Sequence, residues 1–422
     1  MMSRIYLQDL AQPQYTEQQR AILDFGNTLS VTLDGDDILS EAKSALGLDD
    51  FGDDEFRERL DLLCDAWNRN PSLNSLGKFN LRNKLLVFAK NRLLIQDLLK
   101  RHPEIHQVQI SKPIIVAGLP RSGTTHLLNL MAADHRLRAL PLWESYEPVP
   151  TPGEALLPDG TDPRYQRCAD EWAAMQQTVP HLAAMHPMEP DHIHEELELM
   201  GPDFASYNFE WLCHEPRWRD HYYQSDQTPH YDYMKTVLKI LTWQDGDLSG
   251  ENTRWVLKCP QHMEQLPVLN KVFPDATVAV THRDPVAVIQ SAITMLAYGQ
   301  RMSRTRIGLA ELADYWIDRI EHLLQACVRD RDCLPQAQSI DVPFHRFMAD
   351  DIGMVEKIYT KADLPMTAEA REQLKAFMDN HPRGKHGQVV YDLQGQFGID
   401  PDALRERFEF YFKAFPVEAE RK

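Results

Sequence analysis

Four side chains suited to anion binding, Arg121, Ser122, Thr124 and Thr125, surround one glycine, Gly123. They follow a short apolar run, Ile114, Ile115, Val116 and Ala117, and they precede Leu127, Leu128, Leu130 and Met131. The first run is rich in β-branched residues and bounded by turn residues, the pattern of a buried parallel strand. Thr124 and Thr125 open a helix. A strand, a glycine-containing turn and a helix start make an anion cradle. The unpaired N–H groups of the first helical turn and the positive end of its dipole converge on one point. Gly123 permits close backbone approach, the hydroxyls add donors, and Arg121 supplies a permanent planar charge matched to phosphate or sulfate oxygens. Thr124 stands where a Walker A loop has its phosphate-reaching lysine, so the loop is not of that type.

Further residues with chemistry lie at the ends of strand-like runs. Lys258 closes Arg254 to Pro260. Arg283 follows the β-branched run Ala276 to His282, and Ser291 sits about two turns into the next helix. Open α/β sheets gather their ligands at such strand ends. Arg383, Gly384, Lys385, His386 and Gly387 form a basic, glycine-punctuated loop. Three candidates stand out for a general base. Glu144 lies in Ala139 to Pro152, which reads as a second short strand entering a proline-rich loop. His186 and His194 lie in the segment MHPMEPDHIHEELELM, with His192 between them. Glu195 and Glu196 in that segment fit a helix first turn. The spacing is not HExxH and does not call for a metal.

The string PRSGTT after a strand resembles the 5′-phosphosulfate loop of sulfotransferases that use 3′-phosphoadenosine 5′-phosphosulfate (PAPS). THRDPVAVIQSAI is similar to the motif with which that family holds the ribose 3′-phosphate, and implies this role for Arg283 and Ser291. The resemblance covers roughly Lys112 to Ile399. It implies a P-loop-like parallel sheet flanked by helices, PAPS as sulfuryl donor, no metal, and a hydroxyl acceptor on a small or lipid-like molecule. Arg121, Ser122, Gly123, Thr124, Thr125, Arg283, Ser291, Arg383, Gly384 and Lys385 would bind the donor. Arg121 and Lys258 would assist the transfer, with Glu144, His186 or His194 as base. Glu144 ranks first, because the protein-tyrosine and heparan types carry a catalytic glutamate in this region. Arg121 replaces the lysine usual in the cytosolic small-molecule branch. That places the chain nearer the branch with bacterial, tyrosyl-protein and carbohydrate enzymes. Two alternatives stay open: a degenerate P-loop kinase or NTPase using Asp284 and Lys258, and a non-catalytic nucleotide-binding protein.

The elements that must position these residues follow from periodicity. Residues 1–107 are expected to be helical, with a helix beginning near Asp54 capped by Asp50 or Asp53, and a basic amphipathic helix from Gly77 to Arg101. Residues 108–422 are expected to form the α/β domain, with a helical acceptor-site insertion around 160–245. Further expected elements are a helix from Gln261 to Val272, a long helix over 303–334, a strand in DVPFHRFMAD, a helix from Met366 to Met378 and a terminal helix over 401–415. A formal net charge of −18 argues against general nucleic-acid binding. Six cysteines without CxxC pairs suggest reduced thiols in a cytoplasmic protein. No apolar run has the length of a membrane span, and the first residues lack the apolar core of a signal peptide.

Overall fold

The structure is a computed structural model that describes residues 3–382 and 384–421. Its centre is a four-stranded parallel sheet in the order β3-β2-β4-β5. These strands are β2 (Ile114–Gly118), β3 (Val256–Cys259), β4 (Thr277–His282) and β5 (Ser339–Pro343). A separate parallel pair joins β1 (Arg4–Tyr6) to β6 (Gln388–Val390). β2 is buried along its whole length. Its alternating side chains enter different cores: Ile115 and Ala117 pack on one face, Ile114 and Val116 on the other. Both faces are therefore covered by helices, as a parallel sheet of continuous apolar strands requires.

The helices that matter for the site are α1 (Ser75–Arg101), α2 (Thr124–Ala132), α3 (Leu142–Tyr146), α4 (Thr228–Gln244), α5 (Pro285–Gly299) and α6 (Leu309–Asp330). α1 spans two cores. Leu94, Ile95 and Leu98 pack with sheet residues Ile115 and Leu257, whereas Leu81, Leu85 and Phe88 pack with Phe56, Leu60 and Trp67. The N-terminal region thus shares its packing with the α/β domain. Asp203 adds a polar tie, accepting from Arg59 at 3.0 Å and Arg92 at 2.9 Å, with His230 Nδ1 at 2.6 Å. This joins the residues around 203–230 to the N-terminal helices.

Several elements differ from expectation. The segment read as a second strand, Ala139 to Pro152, holds a single bridge, Pro141 to Ile193, with another from Arg138 to Trp255 just before it, and then forms α3. Leu142, Trp143 and Glu144 lack the β-branching that favours a strand, and Pro141 leads into the helix. The helix expected over Gln261 to Val272 is a 3-10 turn, Pro260–Glu264, followed by a helix, Leu266–Val272. Pro267 cannot donate to a preceding turn, so it starts a helix instead of continuing one. The helix near Asp54 begins at Phe56, with Asp53 accepting from Glu55 N at 2.9 Å, and Glu55 makes no side-chain cap. β5 ends at Pro343, where the helix Phe344–Ala349 takes over. The long helix starts only at Leu309, and the terminal one is divided into Pro401–Arg407 and Glu409–Ala414. β1 has no counterpart among the expected elements: three residues give no periodicity to read. Among the described residues no helix is long and apolar enough to cross a membrane.

Candidate active site

The cradle forms where β2 meets α2. Gly118 ends the strand against Thr281 of β4: an added Cβ would lie 1.8 Å from Thr281 Oγ1 and 2.8 Å from Thr124 Cγ2. The turn passes through two left-handed residues, Arg121 at φ 65° and Gly123 at φ 85°. Gly123 adopts this geometry freely, but Arg121 is held there against its preference, a pattern that clusters at functional sites. Ser122 Oγ donates to Leu119 O at 2.6 Å and lies 2.9 Å from Thr281 Oγ1, so this hydroxyl fastens the loop to the sheet. Gly123 precedes α2, leaving the first-turn N–H groups without helical acceptors.

Two sequence motifs far apart in the chain meet at this loop. Arg121 Nε donates to Ser291 Oγ at 3.0 Å, and Arg283 donates to the Arg121 carbonyl at 2.6 Å. The Arg121 guanidinium also donates to the Met185 carbonyl. Ser291 Oγ donates to Tyr391 Oη at 2.9 Å. Arg283 lies 4.0 Å over the Phe344 ring and grips the Glu420 carboxylate through two bonds of 2.7 and 2.8 Å. Asp284 has a different task. It accepts from Val286 N at 2.9 Å as the cap of α5 and pairs with Arg405 at 3.1 Å. Gly384 and Lys385 lie in the turn before β6, where Lys385 N donates to Pro382 O at 3.2 Å. Arg383 falls outside the described residues.

Lys258, 2% exposed, is the penultimate residue of β3, beside the cradle. Its Nζ is 3.4 Å from Thr125 Oγ1 and pairs with the Glu195 carboxylate. Its backbone N donates to Glu196 Oε2 at 2.8 Å. Glu196 Oε1 is 2.6 Å from His262 Nε2, and His262 Nδ1 is 2.8 Å from Tyr231 Oη. The chain is satisfied when Tyr231 donates to Nδ1 and the Nε2–H of His262 donates to the carboxylate. His186 sits 5.5 Å from His194 and 6.4 Å from His192, ring centre to ring centre. Burial, with Lys258 nearby, holds His186 and His194 well below the usual imidazole pKa, and His192 at about 4. Burial pushes the Glu195 carboxyl upward, against the pull of Lys258.

The family model described as the sulfotransferase family matches residues 113–368. The chain belongs to the sulfotransferase family. The fold agrees with solved structures. Sulfotransferase STF1 from Mycobacterium tuberculosis H37Rv is 29% identical with a TM-score of 0.76, over 91% of this chain and 99% of that one. Sulfotransferase STF9 from Mycobacterium avium, at 24% identity, has a TM-score of 0.81 over 93% and 100% and shares the fold. A comparison with curated proteins found no match.

In this sulfotransferase the structure brings Arg121, Ser122, Gly123, Thr124, Thr125, Lys258, Arg283 and Ser291 into one cluster, with His186 and His194 close enough to feel the charge of Lys258. It places Glu144 elsewhere. That carboxylate pairs with Arg138 at 2.7 Å, and Arg138 in turn reaches Asp245 at 2.9 Å. Burial raises the Glu144 pKa and Arg138 opposes the rise. Glu195, which sequence pattern presents only as a helix-start carboxylate, stands in the cluster instead. A lysine at the end of a fully buried strand needs a carboxylate partner, and that was the signal available.

Proposed function

We propose that this sulfotransferase draws its sulfuryl group from PAPS and delivers it to a hydroxyl of a small or lipid-like acceptor. One observation carries the reading: Arg121 of the cradle is bonded to Ser291 and, through its carbonyl, to Arg283. A cradle for one phosphate and an arginine–serine pair for another lie side by side, which suits a nucleotide with anions at both its 5′ and 3′ positions. The donor set fits such a ligand: backbone N–H groups at a helix start, two guanidinium groups, one ammonium and hydroxyls. The use of Asp284 as a helix cap removes the acid that a magnesium-dependent kinase would need there.

PAPS supplies the activated sulfuryl group, and the chain supplies position and charge. The first-turn N–H groups of α2, with Arg121, hold the 5′ anion and stabilise the charge that develops on the leaving phosphate. Lys258 brings an ammonium to the same place. Arg283 and Ser291 hold the 3′-phosphate, with Arg383, Gly384 and Lys385 in the loop assigned to cover it. In-line sulfuryl transfer resembles phosphoryl transfer, so most of the catalysis is alignment and electrostatics. The acceptor approaches along residues 180–200, whose Met185 carbonyl already touches Arg121. Unpaired cysteines, five of the six buried, suit the cytoplasmic location we assign. Calorimetric titration with adenosine 3′,5′-bisphosphate tests the reading. Arg121→Ala is expected to bind about ten- to a hundredfold more weakly than wild type, the scale of a charge-assisted hydrogen bond. Equal affinities would contradict it.

A further inference from the structure

We propose that Glu195 is the general base of the transfer, and that Lys258 masks it until the donor binds. The proposal rests on the PAPS reading above. Lys258 stands between two anion positions: its ammonium pairs with Glu195 and lies 3.4 Å from Thr125 Oγ1 on the first turn of the cradle helix. Its backbone cannot follow, because Glu196 holds the Lys258 N–H and is itself locked by His262 and Tyr231. Only the ammonium end is free to turn from one anion to the other. An anion in the cradle competes for it directly.

The surroundings of Glu195 set its response to losing that ammonium. Glu196 and Glu198 are adjacent acids, and Glu198 is already paired with Lys84 at 3.0 Å. His186, His192 and His194 nearby are held neutral by burial. Arg121 is bonded to Ser291 and Met185. No other described cation pairs with Glu195. The carboxylate is 13% exposed, so departure of the ammonium leaves a nearly buried anion beside two acids. Its proton affinity then rises. In the reaction the acceptor oxygen forms the new O–S bond, and its proton goes to a Glu195 oxygen. The bond from sulfur to the 5′-phosphate oxygen breaks with its electron pair remaining on that phosphate. Glu195 afterwards returns the proton to solvent. The base thus becomes strong only when a donor is present to be used.

The test is proton uptake on binding PAPS, measured calorimetrically at pH 6.5 in two buffers of different ionisation heat. Wild type is expected to take up a fraction of a proton more than Glu195→Gln, the carboxylates that stay ionised serving as base, and Glu195→Asp to keep that extra uptake. Glu195→Gln should bind PAPS at least as tightly as wild type, since a competing carboxylate is gone. Lys258→Gln provides the converse, with no ammonium to hand over and no extra uptake. With any acceptor that turns over, Glu195→Gln is expected to lose about a hundredfold or more in rate at saturating PAPS, while Glu195→Asp retains part of it. If wild type and Glu195→Gln bind PAPS with equal proton uptake, this proposal falls and the donor assignment stands. If PAPS binds neither protein, the donor assignment falls and takes this proposal with it.

Discussion

Glu144 and Glu195 show how little a residue's type says about its task. Both are carboxylates lifted by burial, and both face one cation. Their difference lies in what the cation does. Arg138 is tied to Asp245 and stacks 4.8 Å over Trp255, away from the cradle. Lys258 touches the cradle helix. Glu144→Gln should therefore act on stability, through a half-buried guanidinium left with one partner fewer. A loss of about 1–3 kcal/mol is expected in denaturant unfolding, with the affinity for adenosine 3′,5′-bisphosphate unchanged. Lost nucleotide affinity at full stability would restore Glu144 to the site. The cradle residues were legible in the sequence because a strand end, a turn and a helix start are contiguous, so local pattern fixes their geometry. Glu195 was not legible, because its meaning comes from Lys258, which is remote in the chain and adjacent only through the packing of the sheet.

At the scale of elements, strands are legible where they are continuous and β-branched, as in β2 and β4. Segments whose conformation depends on a neighbour are not. Residues 139–146 lie against residues 190–194, with Leu142 N bonded to His192 O and His194 N to Leu140 O at 2.9 and 2.8 Å. That pairing orients the histidine segment toward the cradle, and no periodicity announces it. The segment also carries a pH signature. His192 titrates at about 4 in the native state and at its ordinary 6.5 when unfolded. His186 and His194 are displaced in the same direction. Between these values the unfolded chain binds protons that the native protein refuses. The stability this segment contributes is therefore fully present above pH 6.5 and is lost as pH drops toward 4. Melting temperatures measured from about pH 7.5 to about 4.5 should show this decline, and His192→Gln should make it shallower. An unchanged slope in the variant would show that the segment is not held neutral.

The whole molecule closes on itself around the proposed nucleotide site. β1 and β6 join the two ends of the chain, and Tyr391 just beyond β6 accepts from Ser291. Residues near the C-terminus supply Glu420, whose carboxylate occupies the Arg283 fork and whose N–H bonds Asp284 at 2.8 Å. A 3′-phosphate must displace that carboxylate to use both arms of Arg283. Both partners are partly exposed, so the competition is modest. Glu420→Gln should tighten adenosine 3′,5′-bisphosphate binding by up to about fivefold, the worth of a surface ion pair. Weaker binding would mean that Glu420 helps to build the site instead of competing for it. The N-terminal region is tied into the same body, since α1 packs against both the sheet core and the N-terminal helical core.

One nucleotide, on this reading, is held at both its 5′ and 3′ anions by two motifs that meet at Arg121. Calorimetric titration of wild type with adenosine 3′,5′-bisphosphate and with adenosine 5′-monophosphate, alongside the Arg283→Ala/Ser291→Ala double variant, tests it most directly. The predicted result is a preference of wild type for the bisphosphate of about ten- to a hundredfold, lost in the double variant while the monophosphate affinity is kept. A wild-type protein that binds the two nucleotides alike would contradict the assignment.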